Sequence, residues 1–186
     1  MENTDNSLQW KELSSHKLLK TPIATINENL CQSSDGLKNN YIVIDSKDWV
    51  VVVPVKNENF IMVKQWRHGE KALSIEFPGG VIDSGENAEQ GARRELLEET
   101  GCISKNLVYL GKMNPNPAFM TNHVHFFAAL DLQETGLQHL DNDEYLNFFE
   151  MSKTEVYKKM GTPEFPHALM AAALTLYRQW EETQKK

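Results

Sequence analysis

The sequence predicts an α/β fold, in which helices cover a mixed sheet on both faces as an α/β/α sandwich, with a short β-rich extension at the N-terminus. Three observations support this prediction. Residues 49–55, WVVVVPV, form a continuous apolar run that is typical of a strand buried on both faces. Residues 88–100 carry the start and stop signals of a helix. Residues 167–182 place apolar side chains at helical spacing, which indicates a second helix packed on the core.

The N-terminal extension, residues 1–46, is predicted to be separate from a main domain of residues 47–186. Strands are expected at residues 21–30 and 41–44, with a turn at Ser33–Gly36 between them. So short a segment has little core of its own, and we therefore expect it to pack on the main domain or on a second subunit. A homodimer is the expected assembly.

The main domain continues the α/β pattern. After the run at 49–55, a turn near residues 56–59 indicates a hairpin. Ser152 is placed to cap a short helix that ends before Gly161-Thr162-Pro163. The predicted strands are 49–55, 60–66, 107–110, 124–130 and 145–151, and the predicted helices are 88–100, 152–160 and 167–182. Residues 73–77 lead into Pro78-Gly79-Gly80 and the first of these helices.

Composition limits the classes of function. The chain has 186 residues, a net charge of -7 and two cysteines. The negative charge argues against general binding to nucleic acid or to an anionic membrane. Two isolated cysteines do not make a disulfide framework. The N-terminus lacks a basic start and an apolar run, and no stretch is long and apolar enough to span a bilayer, so we expect a cytoplasmic protein.

The helix at residues 88–100 has unusually clear ends. Asn87 and Gln90 stand three residues apart, as in a capping box, and Gly101 is a natural left-handed stop. Helical geometry predicts that Glu95 and Glu99 share a face with Glu98, within an arc of about 100°.

This cluster of carboxylates is unfavourable for stability by itself. Glu95 and Glu99 repel each other at i,i+4, and the negative end of the helix dipole lies nearby. Arg94 can compensate part of the charge. Clustered carboxylate oxygens also suit a hard divalent cation, Mg2+ above all, which binds phosphate oxygens in addition. The alternative is a solvated acidic helix face without a metal.

The glycines around this helix complete a longer motif. Its fixed positions are Gly80, Glu86, Arg94-Glu95-Leu96, Glu98-Glu99 and Gly101-Cys102. The spacing resembles the Nudix box, with Cys102 in place of a larger aliphatic residue. Together with VKQWRHG, SIEFPGGVIDSGE and the last amphipathic helix, it is similar to the ADP-ribose pyrophosphatase branch of the Nudix hydrolases. The resemblance implies a Nudix-type sandwich and hydrolysis of a nucleoside diphosphate linked to a sugar. For ADP-ribose, the products are AMP and ribose 5-phosphate.

The resemblance also implies a set of site residues. Metal ligands are expected at Glu95, Glu99, the backbone carbonyl of Gly79 and Glu144, with Asp141 and Asp143 close to Glu144. The general base is either Glu98 or Glu144. About three Mg2+ ions, or Mn2+ in their place, would assist in-line attack of water on phosphorus. Structural roles in the motif are expected for Gly80, Glu86, Arg94 and Gly101.

Substrate contacts are expected outside the box. Arg67 and Glu76 belong to the segments that resemble the family, and Arg67 would bind phosphate or sugar. The alternative for Arg67 is a surface ion pair. Phe119 or Trp66 would stack on a base, or would only be buried. Near Phe119, Pro117 matches a proline that is common in the branch, whereas Ala118 stands where a glycine is usual.

Two other functions fit the same motif. The chain could hydrolyse nucleoside triphosphates or other diphosphate compounds, or it could be a non-catalytic module that senses a nucleotide. The intact Glu95, Glu98 and Glu99 argue against a sensor, which has no need of clustered like charges. In each case the expected partner is a small nucleotide, not a nucleic-acid polymer and not a membrane.

Overall fold

The computed structural model describes residues 4–140 and 144–185 and divides them into two units. The first, the N-terminal unit, contains the described residues up to Lys47 together with Asn114–His123. The second, the main unit, contains Asp48–Met113 and the described residues from Val124 onward.

Within the described residues, a 3-10 helix at Thr4–Leu8 precedes nine strands and three α-helices. In chain order these are β1 (Trp10–Lys20), β2 (Ala24–Ser33), β3 (Lys38–Ser46), β4 (Trp49–Lys56), β5 (Asn59–Arg67), β6 (Ala72–Glu76), α1 (Ala88–Thr100), β7 (Cys102–Met113), β8 (Val124–Glu134), β9 (Leu146–Ser152), α2 (Lys153–Lys159) and α3 (Ala168–Gln184).

The N-terminal unit is a three-stranded antiparallel sheet in the order β1-β2-β3. Asn29, at its centre, donates to Glu12 over 2.7 Å and accepts from Ser15 over 2.7 Å, which joins β1 to β2 through side chains as well as backbone. The segment 114–123 attaches to this sheet because the Ile44 N–H donates to the Phe119 carbonyl at 2.7 Å.

The main unit is built on a six-stranded mixed sheet in the order β6-β5-β4-β8-β7, with β9 paired to β5. Strands β4 and β8 run parallel. Strand β4 pairs with β5 only near the hairpin turn, and beyond it the N–H groups of Val50 and Val52 donate to the carbonyls of Gly80 and Pro78. The segment leading into α1 is therefore fixed alongside β4.

Two apolar clusters occupy the two faces of this sheet. Leu96 and Ala92 of α1 pack with Val50, Val52 and Ile61 on one face. On the other face, α2 and α3 contribute the buried residues Val156, Met170, Ala173, Leu174 and Tyr177 to the larger cluster. Helices thus cover both faces, which confirms the predicted α/β fold with a mixed sheet and N-terminal strands.

Local signals predicted the helices better than the strands. The limits of α1 agree with the prediction: the Asn87–Gln90 capping box is formed, and Gly101 has φ 64°. Strand β7 is longer than the predicted 107–110, and no strand was predicted at β1. Every residue of β1 is exposed, so its sequence has no alternation of apolar and polar residues to reveal it.

The described part of the chain contains no helix with both the length and the apolar character needed to cross a bilayer.

Candidate active site

Two carboxylates of α1 are buried at the centre of the candidate site. Glu95 and Glu99 are only 7% and 2% exposed. The Gly79 N–H donates to Glu99 Oε2 at 2.8 Å. Gly80 lies so close to the other carboxylate that a β-carbon there would be 2.5 Å from Glu95 Oε1. Gly80 therefore lies directly against the carboxylate of Glu95.

Arg94 is the cation that compensates this negative charge. Its Nη1 donates to Glu95 Oε1 at 2.8 Å and to Glu98 Oε2 at 2.9 Å. The same guanidinium donates to Glu86 and to the Val81 carbonyl, so it joins the loop before α1 to the helix. The hydrogen bonds from Arg94 lower the pKa of Glu86, whereas the surrounding carboxylates, Glu86 first, raise the pKa of Arg94.

The two buried carboxylates have raised pKa values. Burial raises the pKa of Glu95 to about 7, although Arg94 acts in the opposite direction. Burial also raises the pKa of Glu99 well above its ordinary value, against the hydrogen bond from Gly79. The charges of Glu95 and Glu144 raise the pKa of Glu99 further. The charge of Arg67 lowers the pKa of Glu99, but it does not offset burial and the neighbouring carboxylates.

These features fit a divalent cation in donor chemistry and in charge. Carboxylate oxygens, with the backbone oxygen at Gly79, are hard donors of the kind that Mg2+ and Mn2+ bind. In this structure, however, no three acidic, histidine or cysteine side chains among residues 4–140 and 144–185 converge into a ready metal site. Arg94 donates to two of the carboxylates of α1, Glu95 and Glu98.

The raised pKa values predict a pH dependence of stability in metal-free protein. Because Glu95 and Glu99 hold protons more tightly when folded than when unfolded, the stability they contribute is lost as the pH rises through the folded pKa, about 7 for Glu95. In EDTA, we expect Tm to be higher at pH 6 than at pH 8. The difference should be on the order of 1 kcal/mol, or roughly 2–4 °C for a chain of this size.

Differential scanning fluorimetry at both pH values checks this. The variant Glu99→Gln is the control, because it should reduce the fall in Tm. A wild-type Tm that rises between pH 6 and pH 8 in EDTA would contradict the prediction.

Arg67 and Glu76 form a bidentate ion pair across neighbouring strands. Arg67 Nε donates to Glu76 Oε1 at 2.9 Å, and Nη2 donates to Oε2 at 2.6 Å. The Glu76 side chain is buried, whereas that of Arg67 is 40% exposed. Burial is the largest single influence on Glu76 and raises its pKa. The hydrogen bonds and the charge of Arg67, together with Ser74 and His167, lower it by more, so the pKa of Glu76 lies below its ordinary value. This ion pair is thus anchored by a buried carboxylate, and the substrate contacts predicted for both residues stay predictions.

The other predicted site residues lie in different surroundings. Glu144, just before β9, is exposed, and its charge acts on Glu95, Glu99 and Arg67. Phe119 belongs to the N-terminal unit and is 40% exposed. Its stacking role stays a prediction, as does that of Trp66, which precedes Arg67 on β5 and alternates to the opposite sheet face. Asp141 and Asp143 lie outside the described residues.

Sequence reasoning missed two residues beside this site. His167 caps α3 by accepting a hydrogen bond from the Leu169 N–H through Nδ1. The charges of Glu76 and Arg67 act on its imidazole. Burial lowers the pKa of His167. Gln138 donates to the Glu99 carbonyl at 2.5 Å. Neither residue belongs to the motif, and only the fold brings them to these positions.

Comparison with known proteins places this site in a family. The NUDIX domain model matches residues 46–172. An ADP-ribose pyrophosphatase from Bacillus subtilis strain 168 is 28% identical over 178 residues, which are 95% of this chain and 96% of that protein. The ADP compounds hydrolase NudE from Escherichia coli strain K12 is 25% identical over 163 residues, 87% of each protein.

A solved structure has the same fold over nearly the whole chain. The crystal structure of an ADP compounds hydrolase superposes with a TM-score of 0.85 at 24% identity, and the match covers 95% of this chain and 96% of that one. At this identity, the match supports the fold alone.

Proposed function

This chain belongs to the Nudix family, and on that premise we propose that it hydrolyses the pyrophosphate bond of an ADP-sugar such as ADP-ribose. The products are a nucleoside monophosphate and a sugar phosphate. The two relatives described above, which match most of the chain, carry names that refer to ADP compounds or ADP-ribose. The substrate class is therefore inferred from similarity, and the chemistry from the site.

The observation that carries the proposal is the pair of buried carboxylates on α1. Glu95 and Glu99 are almost inaccessible to water, repel each other and lie where the helix dipole is unfavourable to anions. Such an arrangement costs stability, and binding of a divalent cation, Mg2+ or Mn2+, would relieve it. The cation would in turn neutralise the diphosphate of the substrate.

The other residues of the site have separate proposed roles in the reaction. Glu95, Glu99, the Gly79 carbonyl and Glu144 would hold the cations, which supply charge stabilisation at phosphorus. Either Glu98 or Glu144 accepts a proton from the attacking water. Water forms the new bond to phosphorus, and the bond to the bridging oxygen breaks. Gly80, Glu86, Arg94 and Gly101 hold the loop and helix in shape.

The Arg67–Glu76 pair is proposed to bind the substrate. Glu76 uses both oxygens to fix Nε and Nη2 of the guanidinium, and the other N–H groups of Arg67, including those of Nη1, are the proposed donors to a phosphate or sugar oxygen. The buried Glu76 keeps the plane of Arg67 in one orientation. Phe119 is proposed to contact the base.

A substrate-by-metal screen tests the proposal. Purified protein is incubated with ADP-ribose, another ADP-sugar and ATP, each with Mg2+, Mn2+ or EDTA, and the products are separated by chromatography. We expect AMP from ADP-ribose only when a divalent ion is present. Pyrophosphate released faster from ATP would favour a triphosphatase. Tight nucleotide binding without turnover would favour a sensor, and inactivity against all ADP-sugars would overturn the proposal.

We further propose that the N-terminal extension, residues 1–46, mediates a homodimer of the domain at residues 47–186. Strand β1 is exposed along its whole length, and Leu18 and Leu19 are about half exposed. Trp10 and Tyr41 pack edge to face at 5.4 Å and are also partly exposed. A three-stranded sheet with this much exposed apolar surface gains stability from a second copy.

Light scattering at micromolar concentration measures the mass. A dimer mass is expected for the wild type and for the control variant Lys105→Glu, which changes an exposed residue of the main unit. Leu18→Glu combined with Leu19→Glu should shift the mass toward the monomer. A monomeric wild type would refute dimerisation.

A further inference from the structure

The C-terminal end of α1, which carries Glu98 and Glu99, is held by one segment of the chain. Residues 135–139, which follow β8, are called the capping segment here. The His139 N–H donates to the Glu98 carbonyl at 2.9 Å. Gln138 Nε2 donates to the Glu99 carbonyl at 2.5 Å. Carbonyls at a helix end have no partner within the helix, so these donors satisfy groups that would otherwise depend on water.

Two further contacts fix the capping segment just past the helix. The backbone N–H and the hydroxyl of Thr135 both donate to the Gly101 carbonyl, at 2.7 and 2.8 Å. A β-carbon at position 101 would lie 2.8 Å from the Leu137 carbonyl oxygen. This close approach, together with the left-handed φ of 64°, requires glycine at 101. The capping segment and the end of α1 are thus built to fit each other.

The donors of the capping segment lie at the C-terminal end of α1, where negative charge accumulates. The C-terminal end of a helix carries partial negative charge on its free carbonyls. In α1 this end lies beside the acidic side chains of Glu98 and Glu99. The last turn of α1 contains no basic residue. A donor on the Glu99 carbonyl reduces the negative potential there and also restricts the last turn.

We propose that Gln138 is a positioning residue for the carboxylates of α1, acting through the backbone of Glu99. The inference rests on the proposed function, because it concerns the same metal-dependent site. Gln138 is half-buried, is outside the Nudix box and supplies a side-chain donor rather than a backbone one. The capping segment also lies close to Glu144 in the sequence.

The variant Gln138→Met tests this inference. Methionine has nearly the same length and no charge, but it cannot donate to the Glu99 carbonyl. Gln133→Met is the matched control, because Gln133 is an exposed glutamine at the end of β8. Mn2+ alone is the probe, and its affinity is measured by electron paramagnetic resonance without substrate. Hydrogen exchange of the amides at the end of α1 is measured in EDTA.

We expect Gln138→Met to weaken Mn2+ binding by about 10-fold, the lower end of what loss of an outer-shell partner costs. With ADP-ribose at saturating Mn2+, kcat should fall while KM changes by less than about twofold. Gln133→Met should behave as the wild type in every measurement. Faster amide exchange confined to the last turn of α1 in Gln138→Met supports the same conclusion.

Unchanged Mn2+ affinity in Gln138→Met would overturn the inference, even if Tm or amide exchange changed, because the role of Gln138 would then be purely structural. The proposed function fails separately. If the wild type binds Mn2+, loses affinity on Gln138→Met and yet hydrolyses no ADP-sugar, the positioning role stands and the substrate assignment does not. If the wild type binds no Mn2+, both fail.

Discussion

Replacement of Glu99 by glutamine is expected to lower kcat for ADP-ribose by about 1000-fold, since losing several kcal/mol of charge stabilisation at a metal-dependent site corresponds to a factor of that size. The change keeps the shape of the side chain, and the amide oxygen of the new glutamine can still accept from the Gly79 N–H. What the substitution removes is the negative charge. The loss should therefore appear in Mn2+ affinity as well as in turnover.

The same substitution should stabilise the metal-free protein. Glu99 is buried, and its pKa is raised by burial and by Glu95 and Glu144, so ionising it at neutral pH costs free energy. Removing that charge should raise Tm in EDTA at pH 8. Opposite signs for stability and activity are typical of residues retained for function at the expense of stability.

Glu89→Gln provides the control. Glu89 lies in the first turn of the same helix, is exposed and pairs with Arg93 over 2.8 Å. We expect less than about twofold change in kcat and little change in Tm, as for other exposed ion pairs. Activity of Glu99→Gln within tenfold of the wild type would show that the site does not depend on this carboxylate.

The parts of the fold that the sequence predicted are those governed by local interactions. The limits of α1 follow from Asn87, Gln90 and Gly101, each of which acts within a few residues along the chain. The buried strand β4 follows from its apolar run. Strand β1 could not be predicted in this way, because it is stabilised by pairing with β2 and not by any pattern of its own.

The candidate site likewise has a part that local spacing predicts and a part that depends on long-range contacts. The motif places Glu95, Glu98 and Glu99 on one helix face, which helical geometry alone predicts. It does not predict that Arg94 bonds two of them, because that depends on the rotamer of a long side chain. Nor does it predict Gln138 on the Glu99 carbonyl, a contact between residues 39 positions apart. Long-range contacts of this kind come only from the fold.

The second large effect is a loss of stability, predicted when the ion pair between Arg67 and Glu76 is broken. Arg67→Ala should lower the free energy of unfolding by roughly 1–3 kcal/mol, because Glu76 would remain buried without its partner, although the partly exposed position of Arg67 admits some water. The pKa of Glu76 should then rise, since burial would no longer be opposed by the guanidinium. Urea denaturation at pH 7 measures the loss, which should be smaller at pH 5, where Glu76 can take up a proton.

Two variants separate this effect from a general loss of charge. Arg178→Ala removes an exposed arginine that pairs with Glu182 on α3 and should cost less than about 1 kcal/mol. The double variant Arg67→Ala with Glu76→Gln should recover part of the stability lost in Arg67→Ala, because no buried carboxylate remains. If the double variant is no more stable than Arg67→Ala at pH 7, the cost arises from lost packing of the arginine stem and not from an unpaired charge.

Arg67→Lys tests the geometry of the ion pair, because it keeps the charge but not the two parallel hydrogen bonds. It should bind the substrate more weakly than the wild type while unfolding at a higher urea concentration than Arg67→Ala.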